Sequence, residues 1–309
     1  MKVLLTGAAG QLGQALIASK PPEVELIVTS RGGGNQALAV DLSQPEACRA
    51  AVLEHRPDWV LNAGAYTAVD QAEREPELAQ AVNAGAPAAF AEALAALDRR
   101  NGAGSGRLLQ VSTDFVFNGE QGSPYRPEQP VAPLGVYGAS KAAGEAAALA
   151  LPGARVLRTG WVYGPVGRNF CCTMLRLHRE RAASGQPLGV VADQVGCPTS
   201  TLTLAAACWR AIGPYADGPR ILHWSDAGAA SWYDFAVAIG ELGVAAGLLE
   251  GAAAVAPITT ADYPTPARRP SYSLLDCTAS RQALNLEPLH WRAALGGVIA
   301  RLDPEVRTA

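Results

Sequence analysis

An α/β fold, a doubly wound parallel sheet with a smaller C-terminal lobe, is what this 309-residue sequence predicts. Three observations carry that expectation. Short apolar runs alternate with helical segments through the first half, the order that places helices on both faces of a parallel sheet. A glycine-spaced turn, TGAAGQLG at 6 to 13, follows the first apolar run and opens a helix. After about residue 165 the alternation breaks, as it does when a chain leaves its sheet to build a companion lobe.

The candidate strands are KVLLTG at 2 to 7, VELIVTS at 24 to 30, ALAVD at 37 to 41, DWVLNAGA at 58 to 65, RLLQVST at 107 to 113 and ARVLRTG at 154 to 160. Helices fit between them, notably PEACRAAVLEHR at 45 to 56 and the alanine-rich stretch from Glu77 to Asp98. That order is Rossmann-like. NGAGSGR at 101 to 107 reads as a surface loop, because the strand it feeds belongs to the same sheet. Residues 1–165 are expected to form a dinucleotide-binding domain, and 166–309 mainly a substrate-binding lobe, with some later segments returning to the first. This second half holds LGVVAD, a helix near 201 to 212, RILHWS, and a helix opened by Ser231. Ser231 stands three residues before Asp234, in a capping arrangement.

Composition narrows the partner. The chain is 49% hydrophobic and 17% charged with a formal net charge of −3, which leaves no basic footprint for nucleic acid. No apolar run reaches the roughly 18 residues of a membrane helix, so no membrane contact is expected. The glycine motif begins at Gly7, which leaves no room for a signal peptide, and a cytoplasmic protein acting on a small molecule is expected. Cysteines 48, 171, 172, 197, 208 and 277 form no CxxC pair, and histidines 55, 178, 223 and 290 form no HExxH. Reduced packing thiols and no structural zinc follow.

Gly7, Gly10 and Gly13, with Gln11 and Leu12 between them, form a candidate diphosphate cradle: glycine permits the turn, and the helix N-terminus attracts the negative charge. At the end of the second strand an acidic residue would bond the ribose hydroxyls of NAD. The chain instead reads TSRGGG there, and Ser30 and Arg31 suit the 2′-phosphate of NADP, so NADPH is expected, with NADH as the alternative. A plain loop charge is the alternative reading of Arg31. Asp41 and Leu42 fall where the adenine would lie.

VYGASKAAGE at 136 to 145 sets Tyr137 and Lys141 four positions apart, on one face if the segment is helical. An ammonium beside a phenol stabilises the phenolate and should lower its pKa. By itself such a pair is common on solvated helices. Here VSTDFVF at 111 to 117 ends the adjoining strand and brings Ser112 and Thr113 to the same place. A hydroxyl, a phenol and an ammonium at the carboxyl ends of parallel strands suit reduction of a carbonyl.

The glycine turn, STD and YxxxK in this order resemble the extended short-chain dehydrogenase/reductase family. Within it, GAAGQLG, NAGAYTAVDQAE (62 to 73), VNAGAP (82 to 87), STDFVFNG (112 to 119), RTGWVYG (158 to 164), DQVGCPTS (193 to 200), SWYDFA (231 to 236) and RRPSYSLLD (268 to 276) are similar to the dTDP-4-dehydrorhamnose reductase family. The resemblance implies NADPH-dependent reduction of the 4-keto group of dTDP-4-dehydro-L-rhamnose, without a metal. It implies that Tyr137 donates the proton, that Lys141 holds the nicotinamide ribose and tunes the phenol, and that Thr113 hydrogen-bonds the keto oxygen. It further implies that Ala63, Gly64, Ala65 and Tyr66 flank the cofactor, and that Asp114, Phe115 and Trp161 lie beside the sugar. Asn169 and Arg268 become candidates for the nucleotide diphosphate, although a strand-end core position for Trp161 and an ordinary salt bridge for Arg268 or Arg269 remain open.

The sequence departs from the family pattern in three respects. Phe115 stands where a tyrosine is usual, and Gly64 where alanine is commoner. Gln14 and Ala15 stand where some members carry an acidic residue that helps a magnesium ion bridge a dimer, so a magnesium-bridged dimer is not expected and the chain is read as a monomer or homodimer. Two competing functions share these motifs: a reductase or epimerase of another nucleotide 4-keto sugar, and a non-catalytic NADP-binding regulatory subunit.

Overall fold

The structure is a computed structural model and describes the chain apart from residues 35–36, 102–105, 214–217 and 303–309, and the side chains of 98–101. Most of the loop expected at 101 to 107 therefore lies outside the described residues. Strands β1 (Lys2–Thr6), β2 (Glu25–Ser30), β3 (Leu38–Ala39), β4 (Trp59–Asn62), β5 (Arg107–Thr113) and β6 (Ala154–Thr159) form one parallel sheet, extended beyond β6 by Ile221–His223. Its order is Ile221–His223, β6, β5, β4, β1, β2, β3. The chain order reverses between β1 and β4, the crevice where such sheets bind ligands.

Alternation along each strand builds two separate cores. Val3, Leu5, Leu61 and Leu109 point to one face and pack with Leu12 and Leu16 of α1 (Gln11–Ala18) and with Leu204 and Trp209 of the helix Thr201–Ala211. Leu4, Val60 and Leu108, one residue out of phase, pack on the other face with Val52 of α2 (Pro45–His55) and with Phe90 and Leu94. All these leucines and valines are essentially fully buried apart from Leu12, and each is worth roughly 1.5–3 kcal/mol against leaving it exposed.

The stretch from Glu77 to Asp98 is helical but is not one regular helix. After the short α3 (Val69–Ala72), α4 (Pro76–Gln80) runs through a π-turn at Ala81–Gly85 into α5 (Ala86–Asn101). The π-turn aims Asn83 inward, where its amide accepts from the Tyr66 N–H at 2.9 Å and donates to the Tyr66 carbonyl at 3.1 Å. It also donates to Ser140 at 3.0 Å. An interruption of this kind commonly marks a functional site.

The second half contributes to both parts of the molecule. RILHWS supplies the seventh sheet strand and the helix Thr201–Ala211 covers a sheet face, whereas Phe170–Ser184, Trp232–Ala245 and Trp291–Ile299 enclose a separate apolar cluster around Phe235, Ile239 and Leu295. Ser231 caps Trp232–Ala245 as its sequence suggests: its hydroxyl accepts from the Asp234 N–H at 3.0 Å, and Asp234 accepts from the Ser231 N–H at 2.8 Å. All six cysteines are free thiols, and all but the half-buried Cys172 are buried. Burial pushes the thiols of Cys48 and Cys208 up to about 12, so both stay protonated and inert. Among the described residues no helix is long and apolar enough to cross a membrane.

Candidate active site

A cleft of about 480 Å³ opens at the carboxyl ends of β1, β4 and β5. Gly7, Gly10, Gln11, Leu12 and Gly13 form one wall, Ala63, Gly64 and Ala65 the next, and Tyr137 and Lys141 the third. The cradle needs glycine at position 7 for two reasons: φ is +70°, and a Cβ there would sit 2.7 Å from the Gly64 Cα. Gly64 has its own reason to replace alanine, since a Cβ would meet the tip of Leu42 at 2.5 Å.

A chain of buried polar side chains supports the floor. Thr6, Asn62 and Gln110 sit opposite one another in register on β1, β4 and β5. Thr6 Oγ1 donates to Asn62 Oδ1 at 2.5 Å, Asn62 Nδ2 to Gln110 Oε1 at 2.6 Å, and Gln110 Nε2 to the Val111 carbonyl at 2.8 Å. Fully paired networks of this sort rigidify a site. By contrast, Gln11 Oε1 and Thr159 Oγ1 are buried at the cleft without a hydrogen-bond partner. Two orphaned polar atoms and a glycine-lined wall fit a dinucleotide, whose hydroxyls and phosphates would occupy them.

Tyr137 and Lys141 lie on α6 (Val136–Leu149) and both face the cleft. Lys141 is 3% exposed and donates from Nζ to the Val111 carbonyl at 2.7 Å. Burial lowers its pKa to about 8, with the Glu145 carboxylate one turn on working the other way. Tyr137 is half-buried as a residue, but the surroundings of its hydroxyl desolvate it and push the phenol up to about 12. Its hydrogen bond with Thr113 opposes that rise, and the Asp114 carboxylate adds to it. The expected lowering of the phenol by the ammonium is thus reversed here, because desolvation of the phenol dominates and the Asp114 carboxylate adds to it. Thr113 is buried, accepts from the Phe115 N–H at 3.2 Å and donates to Asp114 Oδ1 at 3.2 Å. Asp114 is itself buried, and desolvation raises it to about 6 against hydrogen bonds from Ser273 and Thr113.

Behind Lys141, Glu145 and Arg158 form a buried ion pair at 2.7 Å, with Arg158 Nε also donating to both Glu145 oxygens. Ser112 donates to Glu145 Oε1 at 2.5 Å, which ties this pair to the cleft wall. His223 lies 3.3 Å from Arg158, and burial, reinforced by that guanidinium, lowers its pKa to about 3, so it stays neutral.

The other candidates are distributed around this centre. Ser30 donates to the Gly33 carbonyl at 3.1 Å, and Arg31 is exposed beside Asp41, whose pKa is lowered first by its hydrogen bonds from Ser43. Tyr66 turns away, its hydroxyl donating to Glu75 at 2.6 Å. Trp161 adopts φ +52° and stacks on Trp232, ring centroids 3.5 Å apart. Asn169 caps the helix Phe170–Ser184, accepting from the Cys172 N–H at 3.1 Å and donating to the Gly164 carbonyl at 2.9 Å. Phe115 meets Tyr137 edge to face at 5.7 Å, and exposed Arg268 shares a small cleft with both, whereas Arg269 pairs with Asp70 at 2.8 Å. Thr159 and Arg168 also line the main cleft, and no spacing in the sequence marked either. Among the described residues, no group of three or more His, Cys, Asp or Glu is placed to hold a metal ion.

A parallel sheet with a glycine-lined dinucleotide crevice and a Thr–Tyr–Lys constellation at its edge defines a nicotinamide-dependent short-chain dehydrogenase/reductase. The family described as RmlD substrate binding domain matches residues 1–303, and the chain belongs to that family. It is 40% identical to the dTDP-4-dehydrorhamnose reductase of Aggregatibacter actinomycetemcomitans, over 97% of this chain and 98% of the relative. It is 43% identical to a probable dTDP-4,6-dihydroxy-2-methyloxan-3-one 4-ketoreductase of Streptomyces antibioticus, over 96% and 93%. The crystal structure of the dTDP-4-dehydrorhamnose reductase of Bacillus anthracis in complex with NADP is similar at a TM-score of 0.84 and 31% identity, over 97% of this chain and 98% of that one.

Proposed function

We propose that the chain reduces the 4-keto group of dTDP-4-dehydro-L-rhamnose to give dTDP-L-rhamnose, with NADPH as reductant. The observation that carries this is the meeting of Tyr137, Lys141 and the glycine cradle in one cleft, with Thr113 hydrogen-bonded to the phenol, in a chain of this family. Gly7, Gly10, Gln11, Leu12 and Gly13 would hold the diphosphate, Ser30 and Arg31 the 2′-phosphate, and Asp41 and Leu42 the adenine. Ala63, Gly64, Ala65 and Lys141 would hold the riboses, with Tyr66, whose hydroxyl is engaged by Glu75 and whose backbone is engaged by Asn83, next to them in the chain. Bound there, the nicotinamide supplies a hydride to the ketone carbon.

Tyr137 gives its phenolic proton to the ketone oxygen. Its raised pKa suits this direction, because the donor is fully protonated at neutral pH. Lys141, charged below about pH 8, offsets the phenolate that remains. Thr113 hydrogen-bonds the same oxygen once its proton turns away from Asp114, so two hydroxyls stabilise the developing charge. Asp114, Phe115, Trp161, Asn169 and Arg268 surround the nucleotide sugar in this reading. Residues 1–165 act as the NADP-binding domain and 166–309 mainly as the substrate lobe, in a cytoplasmic monomer or homodimer.

The Streptomyces antibioticus relative favours a second reading, reduction of a different dTDP 4-keto sugar by the same groups. Following NADPH oxidation with dTDP-4-dehydro-L-rhamnose, with the product identified by NMR, tests both. Rapid oxidation giving dTDP-L-rhamnose supports the first; turnover confined to another dTDP 4-keto sugar replaces it with the second. Tight NADPH binding with no turnover of either would leave a regulatory subunit.

A further inference from the structure

Helix α6 carries Tyr137 as its second residue, so the position of the phenol depends on how the first turn of that helix is held. The first amides of any helix lack intrahelical acceptors and need a cap. The N-cap residue here is Gly135, which has no side chain to offer. The acceptor comes instead from 63 residues away: Glu73 Oε1 takes the Val136 N–H at 2.8 Å. Room for that carboxylate exists because position 135 is glycine, since a Cβ there would lie 2.5 Å from Glu73 Oε1.

We propose that Glu73 is a positioning residue for Tyr137, a cap supplied from outside α6 that fixes the turn bearing the proton donor. The inference deepens the proposed function and rests on Tyr137 being that donor. Glu73 follows α3 on a segment that is anchored at two points before it. Asn83 clamps Tyr66 at its start, and Asp70 accepts from the Ala267 N–H at 3.1 Å and from Arg269 at 2.8 Å. The same segment begins at the Ala63–Ala65 wall of the main cleft, and Glu73, Tyr137 and Arg268 line the small cleft beside it. One strap therefore walls the cofactor side and holds the phenol. Loss of the cap frays the first turn of α6, and displacement of a reacting group by about 1 Å can cost on the order of a hundredfold in rate.

The test uses Glu73→Ala, Glu73→Gln, Gly135→Ala and the Glu73→Ala/Gly135→Ala double variant of the full chain. Turnover, NADPH affinity from nicotinamide fluorescence, and amide hydrogen exchange across 136–141 are measured, with the wild type and Tyr137→Phe as references. Glu73→Ala is expected to lower kcat roughly tenfold or more, with NADPH affinity within about twofold, and to speed exchange at the Val136 amide. Glu73→Gln, which keeps an acceptor oxygen, should recover most of both losses. Gly135→Ala should reproduce the defect by displacing the carboxylate, and the double variant should be no worse than the poorer single, because both remove one interaction.

Equal impairment of the Gln and Ala variants, additive losses in the double, or unchanged exchange at Val136 would overturn the proposal. So would a fall in NADPH affinity as large as the fall in kcat, which marks general damage to the cleft. If Glu73→Ala fails to fold, Glu73→Gln and Gly135→Ala decide alone. The exchange readout needs no substrate, so a wild type inactive on the proposed ketone would refute the functional reading while the cap is still judged.

Discussion

In the proposed mechanism a single residue, Lys141, would set the working range of the site. Burial lowers its pKa to about 8, so the ammonium is present below that pH and lost above it. kcat/KM, which reports groups of the free enzyme, should fall on the alkaline side with an apparent pKa near 8. Lys141→Arg, whose side chain stays charged, should abolish that limb even if its overall rate is low; a limb that persists in the arginine variant would assign it elsewhere. In the proposed assignment two arginines would contact different parts of the cofactor. Arg31→Ala should weaken NADPH with little effect on NADH, because only NADPH has a 2′-phosphate. Arg168→Ala, in the main cleft, should weaken both alike. Dissociation constants for the two nucleotides check this, and equal losses in Arg31→Ala would remove its assignment. At this scale the sequence is legible where chemistry has a spacing, as in Tyr137 and Lys141. Arg168, Thr159 and Glu73 carry no such mark, because each reaches its place through folding of segments far apart in the chain.

Among elements, α6 is tied to β6 through the Glu145–Arg158 pair, and both partners are nearly fully buried. Removing one partner of such a pair leaves an uncompensated buried charge, at about 3–5 kcal/mol. Glu145→Ala should lose about that much stability in urea unfolding, and Glu145→Leu combined with Arg158→Met should regain much of it. A loss below about 1 kcal/mol would mean that water reaches Arg158. The six strands of the first half and the Ser231 cap could be read directly, because alternation and capping are local patterns. The π-turn at Ala81–Gly85 could not, since alanine favours a helix without fixing its winding. Nor could the pairing of Ile221–His223 with β6: three residues carry no record of their partner, and 61 residues intervene between the end of β6 at Thr159 and Ile221.

At the scale of the molecule, the sheet and the lobe are joined where Trp161, at the end of β6, lies flat on Trp232 of the lobe helix. The two parts keep separate interiors: one cluster on each sheet face, one in the lobe, and a small fourth around Phe117 and Tyr125. Each contains at least one free thiol. Cys208 and Cys48 lie under the two sheet faces, Cys171 and Cys197 in the lobe, and Cys277 in the fourth cluster. These sulfurs can meet a soluble alkylating reagent only when their own cluster opens, so the rate at which each is modified times the opening of that region alone. The chain thus carries its own set of local clocks, able to report whether a bound nucleotide slows the sheet and the lobe together or one without the other.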